Sequence, residues 1–167
     1  MLLKPDIKLE KITDITPQIL KKYNLDSLIL DVDNTLSTHH GNVLTDGLPE
    51  WLNLMLENGI KLMVLSNSKE KRVKPFAKKI GLNFISLGLK PLPFGYIRAL
   101  KALGSKRKTT AIVGDQIFTD VLGGNLVGVK TLLLTPILLE STAGFRFKRK
   151  LERVIFKLYK ITNTEEF

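Results

Sequence analysis

The sequence predicts an α/β fold: an open parallel sheet of about five strands with helices on both faces. Three observations predict it. Short apolar runs of strand length alternate with helix-forming segments along residues 27–135. Predicted helices are followed by glycine, at Gly59, Gly81 and Gly104. Finally, the conspicuous polar residues fall where strands run out, the edge at which open α/β sheets bind ligands. These are Asp31 and Asp33, then Ser66 and Asn67, then Lys90, then Asp115.

The first strand is Leu28 to Val32, an apolar run broken only by Asp31, as expected of a central parallel strand. Leu48 to Glu57 reads as a helix, with Pro49 at its start. Ile60 to Leu65 is the second strand. Lys69 to Ile80 is a helix in which Pro75 is a candidate kink. "NFISLG" supplies a short third strand, Pro93 to Leu103 a helix, and "TTAIVGD" the fourth strand. Thr119 to Val127 is a helix and "VKTLLLT" the fifth strand. The core spans about 26–136 of a chain read as one domain, and a basic segment follows at about 145–160.

Composition narrows the class. Of 167 residues, 44% are hydrophobic and 25% charged, which suits a globular core rather than disorder. Cysteine is absent, which excludes disulfides and thiolate metal sites. No apolar run approaches the roughly 18 residues needed to span a bilayer, and the N-terminus lacks the features of a signal peptide. A cytoplasmic protein is expected. The formal net charge of +10 implies an anionic partner: nucleic acid, a membrane surface or a phosphorylated substrate.

Asp31 and Asp33 stand one residue apart at the end of a buried strand. Residues two apart in a strand point to the same side, so both would face one spot and repel. Such a pair is tolerated when a cation lies between the acids or when chemistry requires it. On its own, "DVDNT" reads equally well as a structural turn. A calcium loop is excluded, because positions six and twelve counted from Asp31 are Leu36 and Asn42 rather than Gly and Glu. Singly, Ser66 reads as a loop cap, Lys90 as a solvated charge and Asp120 as a helix-start acid. Gly123, Gly124 and Gly128 do not satisfy a dinucleotide-binding spacing. His39 and His40 read as solvent-exposed turn residues.

In order along the chain, "DVDNT", "VLSNS", Lys90 in "GLKP" and "GDQIFTD" resemble the four motifs of the haloacid dehalogenase-like (HAD) phosphatases. More narrowly, they resemble the YqeG family of subfamily IIIA, which is similar to phosphatidylglycerophosphate phosphatases. The resemblance implies a Rossmann-like core and a Mg²⁺-dependent phosphomonoesterase. Asp31 is then the nucleophile that forms an aspartyl-phosphate, and Asp33 the acid and base. Ser66 hydrogen-bonds a phosphoryl oxygen, Asn67 lies with the substrate, and Lys90 neutralises charge. Asp31, Asp33 through its carbonyl, and Asp115 hold Mg²⁺, while Asp120 orients a metal-bound water or Lys90. Thr35 fixes the loop. Only about a dozen residues separate Leu36 from Pro49, which leaves no room for the cap domain many such enzymes insert.

The segment "FRFKRKLERVIFKLYK", Phe145 to Lys160, holds seven Lys or Arg against one Glu. Phe147, Leu151, Val154, Ile155 and Leu158 recur at spacings of three and four, an amphipathic basic helix. It fits a packed terminal helix, a peripheral helix on an anionic membrane, or an RNA contact, although its aromatic residues form no recognisable RNA-binding motif. Three functions follow from the whole. The first is a phosphatase of phosphatidylglycerophosphate at the inner membrane face. The second is a phosphatase of a soluble phosphomonoester or phosphoprotein. The third is a non-catalytic nucleic-acid-binding module on the same scaffold, which the intact motif set disfavours.

Overall fold

The computed structural model describes residues 1–38, 43–137 and 143–159, with side chains of the last segment from Lys150 onward. Six parallel strands form one open sheet in the order β1-β6-β5-β2-β3-β4. They are β1 (Ile7–Leu9), β2 (Ser27–Leu30), β3 (Lys61–Leu65), β4 (Phe84–Ile85), β5 (Thr110–Gly114) and β6 (Lys130–Leu134). The helices are α1 (Pro17–Lys22), α2 (Leu48–Glu57), α3 (Glu70–Ile80), α4 (Pro93–Leu103), α5 (Leu122–Val127) and α6 (Ala143–Tyr159).

β1 is the strand that the pattern does not predict. Only Ile7 and Leu9 alternate into the core around Lys8, too short a run to stand out among charged neighbours. It is held by pairing with β6, Ile7 opposite Leu132, and by Asp6, whose carboxylate accepts from the Thr131 N–H at 2.9 Å.

Alternation in the central strands divides the core. Leu28 and Leu30 of β2 join Leu62, Val64 and Val113 on the face covered by α1, α2 and α3. Ile29 joins Met63, Leu65 and Ile112 on the other face, under Tyr96 and Leu100 of α4 and Val127 of α5. With both faces covered, β2 is buried along its whole length, hence its unbroken aliphatic sequence. α3 runs on through Pro75, and α3 and α4 end at Gly81 and Gly104 in the left-handed conformation.

The chain leaves β2 towards β3 and β4, then returns to the other side for β5 and β6. The reversal lies between β2 and β5, whose carboxyl ends therefore flank a crevice. Asp31 follows β2 and Asp115 follows β5 at that point. The expected helix from Thr119 begins earlier, as a π-helical turn over Ile117–Val121 that runs into α5.

α6 packs on the body. Ile155 is buried against Ile117, Val121 and Leu133, with Phe156 and Tyr159 beside it. The packed stripe differs from the one its spacing suggests: Leu151, Val154 and Leu158 are exposed, and buried Glu152 lies among the packed residues. The side chain of Phe147 lies outside the described residues, as do His39 and His40. No helix among the described residues is long and apolar enough to cross a membrane.

Candidate active site

Strand β2 ends at Leu30, but the Asp31 N–H still donates to the Val113 carbonyl at 2.9 Å, tying Asp31 to β5. The chain then turns sharply, with the N–H groups of Leu36 and Ser37 both donating to the Val32 carbonyl and Asn34 at φ 59°. Thr35 holds this loop through its backbone, its carbonyl accepting from the Thr45 hydroxyl at 3.3 Å. Bridges Asp33–Ser37 and Ser37–Leu44 tie this loop to the residues that lead into α2.

Lys90 organises the centre. It follows β4, is 7% exposed, and its Nζ lies 2.6 Å from Asp31 Oδ1 and 2.7 Å from Asp120 Oδ1. Asn67 fixes the lysine from behind: its side-chain oxygen accepts from the Lys90 N–H at 2.7 Å and its Nδ2 donates to the Lys90 carbonyl at 3.0 Å. Both ends of that amide are thus engaged by the backbone of residue 90. Ser66, after β3, is buried, and its hydroxyl accepts from the Ser68 N–H at 3.1 Å.

Asp120 sits on the π-helical turn. Its second oxygen accepts from the Gln116 N–H at 3.2 Å, so the loop from Asp115 closes on itself. Gly114 makes this possible, since a Cβ there would lie 2.2 Å from Asp120 Oδ2. Carboxylate oxygens of Asp31, Asp115 and Asp120 all lie within 4.8 Å of one another, and all three residues are buried.

Asp33 has a cation of its own. Its carboxylate pairs with Arg72 Nη2 of α3, whose Nη1 donates to the Ser68 hydroxyl at 3.0 Å. The expectation that Asp31 and Asp33 face one spot rests on strand periodicity, and the strand ends before either residue. Asp115 and Asp120 cluster with Asp31, and Asp33 adds a smaller push on the Asp31 carboxyl in the direction like charge predicts.

Sequence reasoning also passed over Arg72 and Glu152. Glu152 of α6 is 3% exposed, and its carboxylate accepts from the Ile117 N–H at 3.0 Å at the start of the π-helical turn. The available signal was a single acid among seven cations. A basic face has no use for it, whereas an unsatisfied N–H at a helix start does.

Electrostatics reinforce the geometry. Burial pushes the Asp31 carboxyl up to about 7, against the pull of Lys90 and with a further push from Asp120. For Lys90, burial acts to lower the pKa, but Asp120 and Asp31 outweigh it and hold the ammonium above the usual lysine value. Lys90 is thus held by two of three buried carboxylates that cluster at this edge. Three clustered hard oxygen donors fit a small divalent cation such as Mg²⁺, which would ease ionisation of Asp31.

A family model described as haloacid dehalogenase-like hydrolase matches residues 20–128, a span that includes Asp31, Ser66, Lys90, Asp115 and Asp120. The chain belongs to the haloacid dehalogenase-like hydrolases. Within this family it is 40% identical over 158 residues to a Bacillus subtilis (strain 168) protein described as "Probable phosphatase YqeG", covering 93% of this chain and 91% of that one. Among solved structures, a possible sugar phosphatase of this superfamily from Cytophaga hutchinsonii superposes with a TM-score of 0.64 at 12% identity, over 95% of this chain and 96% of that one. A 4-nitrophenylphosphatase from Thermotoga maritima gives 0.60 at 14% identity, over 78% and 90% of the two chains. At such identities the structures speak for the shared fold.

Proposed function

We propose that this HAD-like hydrolase is a Mg²⁺-dependent phosphomonoesterase whose substrate is phosphatidylglycerophosphate, met at the cytoplasmic face of a membrane. The observation that carries the phosphatase reading is the Lys90 ammonium held between Asp31 and Asp120 beside Asp115. Hydrolysis of a phosphate monoester needs a nucleophile, a proton donor and fixed positive charge at the phosphoryl oxygens, and this edge supplies all three.

An oxygen of Asp31 attacks phosphorus while the bond to the leaving oxygen breaks, giving an aspartyl-phosphate and a free alcohol. Asp33, released from Arg72 and protonated from solvent as substrate enters, delivers that proton to the leaving oxygen. It then takes a proton from the water that hydrolyses the acyl phosphate, so both carboxyls return to the forms in which they met the substrate. Ser66 donates to a phosphoryl oxygen, and Lys90 stays charged throughout. Asn67 acts by positioning Lys90. Mg²⁺, held by Asp31 and Asp115 with Asp120 close by, would neutralise phosphoryl charge when bound.

The lipid rests on the resemblance to phosphatidylglycerophosphate phosphatases, on the +10 net charge, and on a connection from Leu36 to Pro49 too short to hold a cap domain. α6 adds an outward face of Lys150, Arg153 and Lys157 around exposed Leu151, Val154 and Leu158, a surface suited to anionic headgroups while the helix stays packed. The test is phosphate release from phosphatidylglycerophosphate in mixed micelles with Mg²⁺, beside an aryl phosphate, an EDTA control and Asp31→Asn. The reading expects fast lipid turnover that EDTA and the substitution both abolish. Turnover of the aryl phosphate alone would keep the chemistry and transfer the substrate to the soluble phosphomonoesters.

A further inference from the structure

We infer that the loop carrying Lys90, with the start of α4, is an apolar anchor that seats the catalytic edge on an anionic phospholipid surface. This rests on the phosphatase reading above but concerns a different surface from α6. Leu87, Leu89, Leu92, Phe94 and Ile97 are 53%, 55%, 50%, 59% and 45% exposed. Soluble proteins scatter exposed apolar residues singly, and five within eleven positions form a cluster.

The backbone presents these side chains outward. Gly88 is clamped: its N–H donates to the Ser66 carbonyl at 2.9 Å, and a Cβ on Gly95 of α4 would lie 2.3 Å from the Gly88 carbonyl oxygen. On either side, Leu87 and Leu89 adopt φ of 47° and 55°, the left-handed region that glycine or asparagine enters at far less cost than leucine. Folding alone would favour a smaller residue at both positions. Leucine there is useful if its side chain meets something apolar outside the protein.

The position and charge of the loop identify that partner. Because β4 is parallel to β2, the loop after β4 leaves the same sheet edge as Asp31, and the adjoining Lys90 reaches the catalytic carboxylate. The Leu87 N–H donates to the Ser68 carbonyl, which brings the loop beside exposed Lys69 and Lys71. Arg98 lies against it on the other side, donating to the Leu87 carbonyl at 3.2 Å. Residues 67–101 contain nine lysines and arginines against one glutamate, a denser positive field than the rest of the chain outside its tail. Apolar side chains ringed by cations at an open active site match a surface of anionic headgroups over acyl chains.

The test uses the full chain with Mg²⁺ and carries Leu87→Asn, Leu89→Asn and Phe94→Ser together. The two asparagines suit the backbone, so the variant should fold and hydrolyse an aryl phosphate at the wild-type rate. Cosedimentation with phosphatidylglycerol–phosphatidylcholine vesicles at moderate salt should show wild type bound and the variant weakened about tenfold or more. Phosphatidylcholine vesicles should retain neither. Equal partition of wild type and variant overturns the inference, as does wild type that ignores anionic vesicles. So does a wild-type dimer by light scattering that the substitutions split without changing vesicle binding, since the cluster would then join two copies. In each case the aryl phosphate and micelle assays report separately on the phosphatase reading.

Discussion

Burial of Asp31 makes the active site costly to fold when no metal is bound, and Asp31→Asn should expose that cost. The carboxyl is pushed from its ordinary 3.8 to about 7, chiefly by burial. A carboxyl raised in the folded state stabilises below its unfolded pKa and loses that contribution as pH rises to its folded pKa. Metal-free wild type should therefore lose stability between about pH 4 and pH 7. At about 1.4 kcal/mol per pH unit the interval amounts to about 4 kcal/mol as an upper limit. Asparagine keeps the shape of the neutral acid at every pH. In EDTA at pH 8 the variant should be more stable by about 1–4 kcal/mol, a gain of about 3–12 °C in Tm for a chain of this size. The gain should shrink at pH 5 and vanish near pH 4. Urea unfolding followed by emission of the single tryptophan, buried Trp51, measures it. Added Mg²⁺ should stabilise wild type far more than the variant, and more strongly as pH rises to about 7 and Asp31 loses its proton. A variant less stable than wild type in EDTA at pH 8 would refute the reasoning, because pairing with Lys90 would then outweigh burial.

Three further outcomes test individual contacts. Asn67→Ala removes both bonds to the Lys90 backbone and should lower kcat on an aryl phosphate about tenfold or more with little change in KM; a rise in KM alone would mean that Asn67 touches substrate. Gly114→Ala forces a methyl group onto Asp120 and should cost about a hundredfold in kcat/KM while weakening Mg²⁺ binding in a calorimetric titration. Glu152→Ala leaves the Ile117 N–H without its acceptor and should cost about 1–3 kcal/mol in urea unfolding, while Glu152→Gln, which retains a carbonyl oxygen, should restore most of it.

The alternation of strands and helices and the polar residues at strand ends were legible because each depends on local order along the chain. Asp31, Ser66, Lys90 and Asp115 needed only the rule that parallel strands deliver their carboxyl ends to one edge. The orientation of Asp33 was not legible, since it depends on where β2 stops and on Arg72, thirty-nine positions away on α3. β1 is too short for periodicity to show, and its pairing partner lies at the far end of the sequence. In α6 the apolar spacing pointed to Ile155 together with Leu151, Val154 and Leu158, but only Ile155 of these four is buried, with Glu152 beside it. A basic helix with apolar residues on two sides does not announce which side meets the core.

The reversal of the chain between β2 and β5 divides the groups proposed to act in catalysis between two stretches of polypeptide. Asp31, Ser66 and Lys90 precede the exposed turn at Lys106, and Asp115 and Asp120 follow it. Neither stretch alone holds both ends of the Lys90–Asp120 contact, and β1 must reach across to β6 to complete the sheet. A chain nicked at that turn would therefore be silent as separate pieces and active only on reassembly, so that catalysis itself would report the union of the two halves.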